Sequence, residues 1–296
     1  MTQSPTRSGY VAIVGRPNAG KSTLLNALVG QKISITSRRP QTTRQNIAGI
    51  VTRQREQVAF LDTPGFQTEY RSGLTRAMER GLKNALSAAQ AVLWLMDVTA
   101  RECADDELFN HIGKSASVVI ALNKIDRIIN KNELLAIIER LHAAYQPAAI
   151  VPISAQHGLQ LDTLLDAIAP LLPEQDFLFA PDEITTASLR HLASEMIREK
   201  LFRLLGQELS YSTAVEIESF EEKPGLTRIC AVILVDRPGQ KAIVIGKGGE
   251  KLKEIGSAAR KDIETMVNGK VFLQLFVKVK QAWADDRKML SRLGLS

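Results

Sequence analysis

Through residues 1–172, short apolar runs alternate with longer stretches in which apolar positions recur every three or four residues. Val92-Leu93-Trp94-Leu95-Met96 and Val118-Val119-Ile120-Ala121-Leu122 show no alternation, the mark of strands buried on both faces. Leu74, Met78, Leu82 and Leu86 are spaced by four, and Leu134, Leu135, Ile138 and Leu141 also share one helical face. The pattern predicts strands at Tyr10–Val14, Asn46–Thr52, Gln57–Leu61, Ala91–Met96, Val118–Leu122 and Ala149–Ile153, interleaved with helices. That is an α/β fold, a parallel sheet flanked by helices. Pro170-Leu171-Leu172-Pro173 stops the last helix, because proline lacks the donor and clashes with the preceding turn. Residues 173–185 read as a linker, and 186–296 as a second, smaller α+β domain.

In that second domain a helix is predicted from about Thr186 to Leu205, with Leu189, Leu192, Met196 and Leu204 inward and Arg190, Arg198, Lys200 and Arg203 outward. Strands at Thr213–Ser219 and Arg228–Asp236 follow, then a short helix, a glycine turn, a helix at Glu250–Val267 and a strand at Val271–Lys280. The order is α-β-β-α-α-β. On the final strand Val271, Leu273, Leu275, Val277 and Val279 share one face, which leaves Phe272 and Phe276 on the other, packed under a helix or facing a ligand.

Composition narrows the class. The chain has 296 residues, 45% apolar and 24% charged, a globular balance. No apolar run approaches the ~18 residues of a membrane-spanning helix, and the first ten residues carry no apolar segment of a secretory signal. Cys103 and Cys230 are the only cysteines, which excludes a disulfide framework and fits a reducing cytoplasm. His111, His142, His157 and His191 are scattered without ligand or triad spacing. The net charge of +6 is uneven: residues 182–222 hold 4 basic and 9 acidic side chains, and 223–296 hold 15 basic and 7 acidic. A basic region beside an acidic one points to a polyanion, nucleic acid first.

Gly15-Arg16-Pro17-Asn18-Ala19-Gly20-Lys21-Ser22 matches G-x-x-x-x-G-K-[ST] directly after a predicted strand, with Ser22-Thr23 opening a predicted helix. Glycines let successive N–H groups converge on a β-phosphate at the helix N-terminus. Lys21 reaches the β- and γ-phosphates, and the Ser22 hydroxyl suits Mg²⁺. Asp62-Thr63-Pro64-Gly65 ends the third strand, where a carboxylate reaches Mg²⁺ through water and the Gly65 N–H reaches the γ-phosphate. Asn123-Lys124-Ile125-Asp126 follows the fifth strand. Guanine presents two adjacent donors, and the Asp126 carboxylate is an acceptor pair; adenine would leave that carboxylate unpaired. Asn123 and Lys124 would brace the loop, and Ser154-Ala155 would meet guanine O6 through the backbone.

In this order and spacing the pieces resemble the P-loop GTPase family. The resemblance makes residues 33–45 a switch loop, with Thr43 the Mg²⁺ ligand and Thr42 the alternative, and sets Lys21, Thr43 and Gly65 around the reacting phosphate. Ras-like members place a glutamine where this chain has Phe66, so attacking water must be held by backbone, a cation or a partner. Asn18 resembles the asparagine that ligates K⁺ in potassium-activated members. The expectation is slow hydrolysis, on the order of 10⁻⁴ to 10⁻² s⁻¹ without assistance, accelerated by K⁺ or RNA.

Gly246-Lys247-Gly248-Gly249 is a G-x-x-G turn between two predicted helices, with Lys251 and Lys253 close by and Ile243, Ile245, Leu252 and Ile255 placed to pack the helices together. This resembles the type II KH domain, which clamps single-stranded RNA. A GTPase domain followed by such a domain is similar to the Era family of bacterial ribosome-assembly GTPases. That resemblance implies a monomer that uses GTP/GDP and Mg²⁺, binds the 3′ region of 16S ribosomal RNA, assists maturation of the 30S subunit and associates peripherally with the inner membrane. Two competing classes are a GTP-dependent tRNA-modification or translation enzyme, for which no second catalytic constellation is visible, and a signalling switch whose KH-like domain binds protein or membrane.

Overall fold

The computed structural model describes residues 5–36, 43–44, 47–66, 72–100, 105–113, 116–205, 209 and 213–295. Thr42 and Cys103 lie outside them. The chain divides into two compact units: Met1–Ser34, Thr43–Glu69 and Glu79–Thr186 in the first; Ile35–Thr42, Tyr70–Met78 and Ala187–Ser296 in the second.

The first unit is built on β1 (Arg7–Val14), β2 (Ile47–Thr52), β3 (Glu56–Asp62), β4 (Ala91–Asp97), β5 (Ser117–Asn123) and β6 (Ala149–Pro152), in sheet order β2-β3-β1-β4-β5-β6. Helices α1 (Lys21–Val29), α2 (Gly73–Ala88, of which the residues from Glu79 on belong to this unit), α3 (Asp106–Ile112) and α4 (Lys131–Tyr145) connect the strands, and α5 (Leu161–Ile168) follows β6. Val11 to Val14 and Val119 to Leu122 are wholly buried, as unbroken apolar runs demand. One pairing departs from the parallel pattern: β2 runs antiparallel to β3. Only residues 53–55 join them, and a parallel crossover needs a dozen residues or more. Because β1, β3, β5 and β6 run the same way, the loops at their carboxyl ends open on one edge, where α/β sheets place ligands.

The stretch read from the sequence as a linker, 173–185, is hydrogen-bonded along the first unit. The Ser8 hydroxyl donates to Asp176 O at 2.6 Å, Ile50 N to Ile184 O at 2.8 Å, and Gln57 exchanges bonds with Phe179. These bonds are made across the fold and leave no periodicity for a sequence reading to detect.

The second unit contains α6 (Leu189–Leu204), β7 (Ala214–Lys223), β8 (Leu226–Val235), α7 (Pro238–Ile245), α8 (Glu250–Val267), β9 (Val271–Val279) and α9 (Arg287–Arg292). The sheet order is β7-β8-β9, with β7/β8 antiparallel and β8/β9 parallel. Ile197, Leu201, Ala231, Ile233, Ile255 and Ile263 form the core between the sheet and its helices. On the opposite face Val232 and Leu234 lie under Trp283, Met289 and Leu290.

Four expectations about side-chain placement need correction here. Arg198 and Lys200 are buried, and Leu189 is exposed. Each buried cation has a partner: Arg198 forks onto Glu195 at 2.6 and 2.8 Å and lies over the Phe202 ring, and Lys200 Nζ donates to Asp262 at 2.6 Å. A helix covered on most of its circumference has little outer face to give its cations. Ile243 is 50% exposed and is not part of the core of this unit, whereas Ile255 is fully buried. No described helix is long and apolar enough to cross a membrane.

Candidate nucleotide site and nucleic-acid interface

At the carboxyl end of β1 the chain turns through Gly15 to Gly20 into α1. Gly20 is left-handed (φ +104°), and a Cβ there would collide with the Asn123 amide. Lys21 Nζ donates to Gly15 O at 2.9 Å and Arg16 O at 3.0 Å, so the ammonium is held over the loop. Burial lowers its pKa from the usual lysine value to about 8, against the opposing charge of Asp62.

Asp62, wholly buried at the end of β3, gathers three hydroxyls on Oδ2: Ser34 at 2.8 Å, Ser22 at 3.1 Å and Thr43 at 3.1 Å. The Ser22 and Thr43 hydroxyls are themselves 3.0 Å apart. Burial pushes the Asp62 carboxyl above its ordinary value, and Lys21 and the three hydroxyls resist that shift. Its Oδ1 is buried without a hydrogen-bond partner. Hydroxyl and carboxylate oxygens with one orphaned acceptor are hard donors suited to Mg²⁺, which takes few protein ligands and keeps several waters.

The rest of the Asp62–Gly65 stretch is anchored to the phosphate loop. The Thr63 hydroxyl donates to Ile13 O at 2.7 Å, and Gly65 sits so close to Pro17 that a Cβ would touch it at 3.1 Å. Phe66 is turned into the core, its N–H bonded to Gly15 O at 3.2 Å. Its ring lies 5.0 Å below the Arg16 guanidinium and meets His111 edge-on at 4.8 Å. Arg16 in turn forks onto Asp105 at 2.5 and 2.9 Å. The side chain standing at the glutamine position therefore contributes packing and keeps out of the space beyond the phosphate loop.

At the base end, Asn123 donates to Ala19 O at 2.8 Å and accepts from Ala155 N at 2.9 Å, tying the three loops together. Lys124 Nζ donates to Asn18 O at 2.9 Å and to Asp97 at 2.5 Å. Burial alone would raise the Asp97 carboxyl, but the bonds from Lys124 and Thr99 outweigh it and hold it low. Asp126 accepts from the Ser154 hydroxyl at 2.6 Å, and that bond lowers its pKa, so the carboxylate stays ionised. Ile125 N bonds Ile153 O at 3.3 Å, and His157 stands 3.9 Å from Asp126. Sequence reasoning missed Ser34, Asp97 and the Arg16–Asp105–Phe66 contact. The first two sit at strand and loop ends whose proximity to the motifs depends on the strand order.

In the second unit, Gly246, Gly248 and Gly249 all take positive φ between α7 and α8 (+73°, +60° and +83°). A Cβ at Gly246 would strike Lys251, whereas Gly248 and Gly249 face open space. Backbone at the turn is thus bare, with exposed Lys247 and Lys253 beside it and half-buried Lys251 behind.

A sheet edge that assembles a phosphate loop, a carboxylate ringed by hydroxyls and an ionised acceptor pair for a purine defines a P-loop GTPase, here followed by a KH unit. Residues 10–124 match the "50S ribosome-binding GTPase" family and 208–284 the "KH domain" family. The chain is 48% identical over 295 residues to the GTPase Era of Chromobacterium violaceum, spanning 100% of both. It is similar to the crystal structure of an Aquifex aeolicus Era variant bound to GDP and aluminium fluoride (TM-score 0.94, 38% identity, 98% and 100% of the two chains). It is equally similar to Era in complex with MgGDPNP and nucleotides 1506–1542 of 16S ribosomal RNA (TM-score 0.94, 39% identity, 98% and 99% covered). The chain belongs to the Era family of GTPases.

Proposed function

We propose that this chain is a GTP-binding and GTP-hydrolysing switch that binds the 3′ region of 16S ribosomal RNA through its second unit and assists assembly of the 30S subunit. The observation that carries the reading is the convergence of Lys21, the Ser22–Thr43–Asp62 cluster and Asp126 on one sheet edge. The likeness to an Era chain bound to MgGDPNP and 16S RNA supports the partner. The backbone of residues 15–22, with Thr23, cradles the phosphates; Lys21 neutralises the β- and γ-phosphates; Ser22, Thr43 and Asp62 hold Mg²⁺, which offsets charge on those oxygens when bound. Gly65 N–H meets the γ-phosphate, and Asp126 selects guanine, braced by Asn123, Lys124, Ser154 and Ala155. One chain carries both sites, so a monomer suffices, and the cytoplasm is the compartment where the RNA is met. The peripheral inner-membrane association implied by the resemblance is a surface contact, since no described helix is long and apolar enough to cross a bilayer.

With Phe66 in the core, no side chain at that position orients water. GTP turnover is expected to be slow, on the order of 10⁻⁴ to 10⁻² s⁻¹, and to rise when K⁺ replaces Na⁺. Asn18→Ala is expected to erase that rise. Equal turnover in the two salts would remove the cation from the account.

The RNA assignment is tested by Lys247→Asp with Gly248→Asp, which sets two negative charges where phosphates would pass. Binding of a 16S 3′-end oligonucleotide is expected to fall by about tenfold or more, as repulsion and lost close approach require. GDP affinity should stay unchanged, and undiminished RNA binding would mean that the glycine turn is not the clamp.

A further inference from the structure

Ser34 belongs to none of the motifs of the nucleotide site, yet it is 2% exposed and its hydroxyl donates to Asp62 Oδ2 at 2.8 Å. That is the shortest of the three hydroxyl bonds on that oxygen, those from Ser22 and Thr43 being 3.1 Å. The Ser34 backbone is held as firmly. Asn26 Oδ1 accepts the Ile33 and Ser34 N–H groups, both at 2.9 Å, and Asn26 Nδ2 donates to Ser34 O at 2.7 Å. Only a primary amide both accepts and donates in this way, so neither a carboxylate nor an ammonium could grip both sides of the residue. Asn26 lies one turn beyond Ser22 on α1, on the same helical face. The helix that opens with Lys21 and Ser22 therefore also fixes Ser34.

The three donors on Oδ2 differ in kind. The Ser22 and Thr43 hydroxyls are 3.0 Å apart, close to the edge of an octahedron with metal–oxygen bonds of about 2.1 Å, and both are assigned to Mg²⁺ above. Ser34 is the donor that serves the carboxylate. Asp62 Oδ1 is buried without a hydrogen-bond partner, so a firm bond on Oδ2 decides which way that free oxygen faces. Metal sites depend on such outer bonds, which orient the groups that meet the ion. We propose that Ser34, gripped by Asn26, is a positioning residue for the metal site, orienting the Asp62 carboxylate for the Mg²⁺ that accompanies the nucleotide. The inference rests on the Mg²⁺ assignment in the reading above and adds to it a residue that touches neither metal nor phosphate.

The test follows release of a fluorescent GDP from the full chain as free Mg²⁺ is varied, for wild type, Ser34→Ala, Asn26→Ala and the double variant. A metal shared by Ser22 and the nucleotide phosphates slows release, so the Mg²⁺ concentration giving half the effect reads metal affinity without any turnover. Ser34→Ala removes one oxygen atom, and it is expected to raise that concentration by about tenfold or more, the scale seen when an outer bond to a metal site is lost. Its circular dichroism and its GDP release in excess chelator should match wild type. Asn26→Ala acts through Ser34, so it should shift the same way. The double variant should then lie within about twofold of Ser34→Ala, whereas independent losses would multiply. A half-effect concentration unchanged in Ser34→Ala overturns the proposal and leaves Ser22, Thr43 and Asp62 as the metal site. Faster release by the same factor with and without Mg²⁺ also overturns it, because the hydroxyl then only supports the loop. A double variant whose losses multiply removes Asn26 from the proposal. If Mg²⁺ does not slow release from the wild-type chain, the metal assignment itself fails and this inference falls with it.

Discussion

Lys21→Ala is expected to weaken GTP and GDP binding by about a thousandfold or more. The Lys21 ammonium is buried and donates to Gly15 O and Arg16 O. A phosphate offers the same donors full negative charge, and truncating one partner of a buried, hydrogen-bonded charge pair costs roughly 2–5 kcal/mol or more. Isothermal titration calorimetry with Mg²⁺ present checks this, and unchanged affinity would refute the phosphate assignment. The titration of Lys21 supplies a second readout. Burial lowers its pKa to about 8, and phosphate oxygens beside it would raise that value, so nucleotide binding takes up a proton. Affinity is then fully present below pH 8 and falls as pH rises through 8 toward the bound-state value. At pH 8 about half a proton should be taken up per nucleotide, read from heats in two buffers of different ionisation enthalpy. No uptake at pH 8 would mean that the ammonium is not the group meeting the phosphates.

Much of this site could be read from the sequence because its pieces are local. Gly15 to Ser22, Asp62 to Gly65 and Asn123 to Asp126 are each one short segment closing one apolar run. Parallel strands of a helix-flanked sheet bring such segments to a common edge. What escaped detection depends on neighbours distant in the chain. Asp97 bonds Lys124 only because β4 lies next to β5. Ser34 reaches Asp62 from a loop with no pattern of its own. Phe66 reads as a missing glutamine, but its burial against Arg16 and His111 follows from packing across residues 16, 66, 105 and 111. The same limit explains α6. Periodicity assigns Arg198 and Lys200 to solvent, and their burial was decided by Glu195, Phe202 and Asp262. The β2–β3 hairpin was readable and overlooked, since three connecting residues rule out a parallel crossover.

Asp126→Asn is expected to invert the base preference of the site, from guanine to xanthine nucleotides. The wild-type carboxylate is held ionised by the 2.6 Å bond from Ser154, so it offers only acceptors, the complement of the two adjacent donors on guanine. An amide offers one acceptor and one donor. Against guanine its NH₂ faces another N–H, leaving both donors unsatisfied, and a site built to pair a polar group rejects a mismatch by up to ~10⁴-fold. Xanthine replaces the exocyclic amine with a carbonyl, so its donor and acceptor match the amide in order. GTP affinity should drop by about two to four orders of magnitude while xanthosine triphosphate gains, measured by competition of GDP and XDP for one fluorescent nucleotide. Because Ser154 keeps the Asp126 pKa below the ordinary carboxylate value, the wild-type guanine preference should hold down to pH 5 and weaken only as pH falls through that lowered value. Ser154→Ala should bring the loss to higher pH, which separates the hydroxyl's electrostatic support from simple bracing. An asparagine variant that still prefers GTP to XTP would show that some other group reads the base.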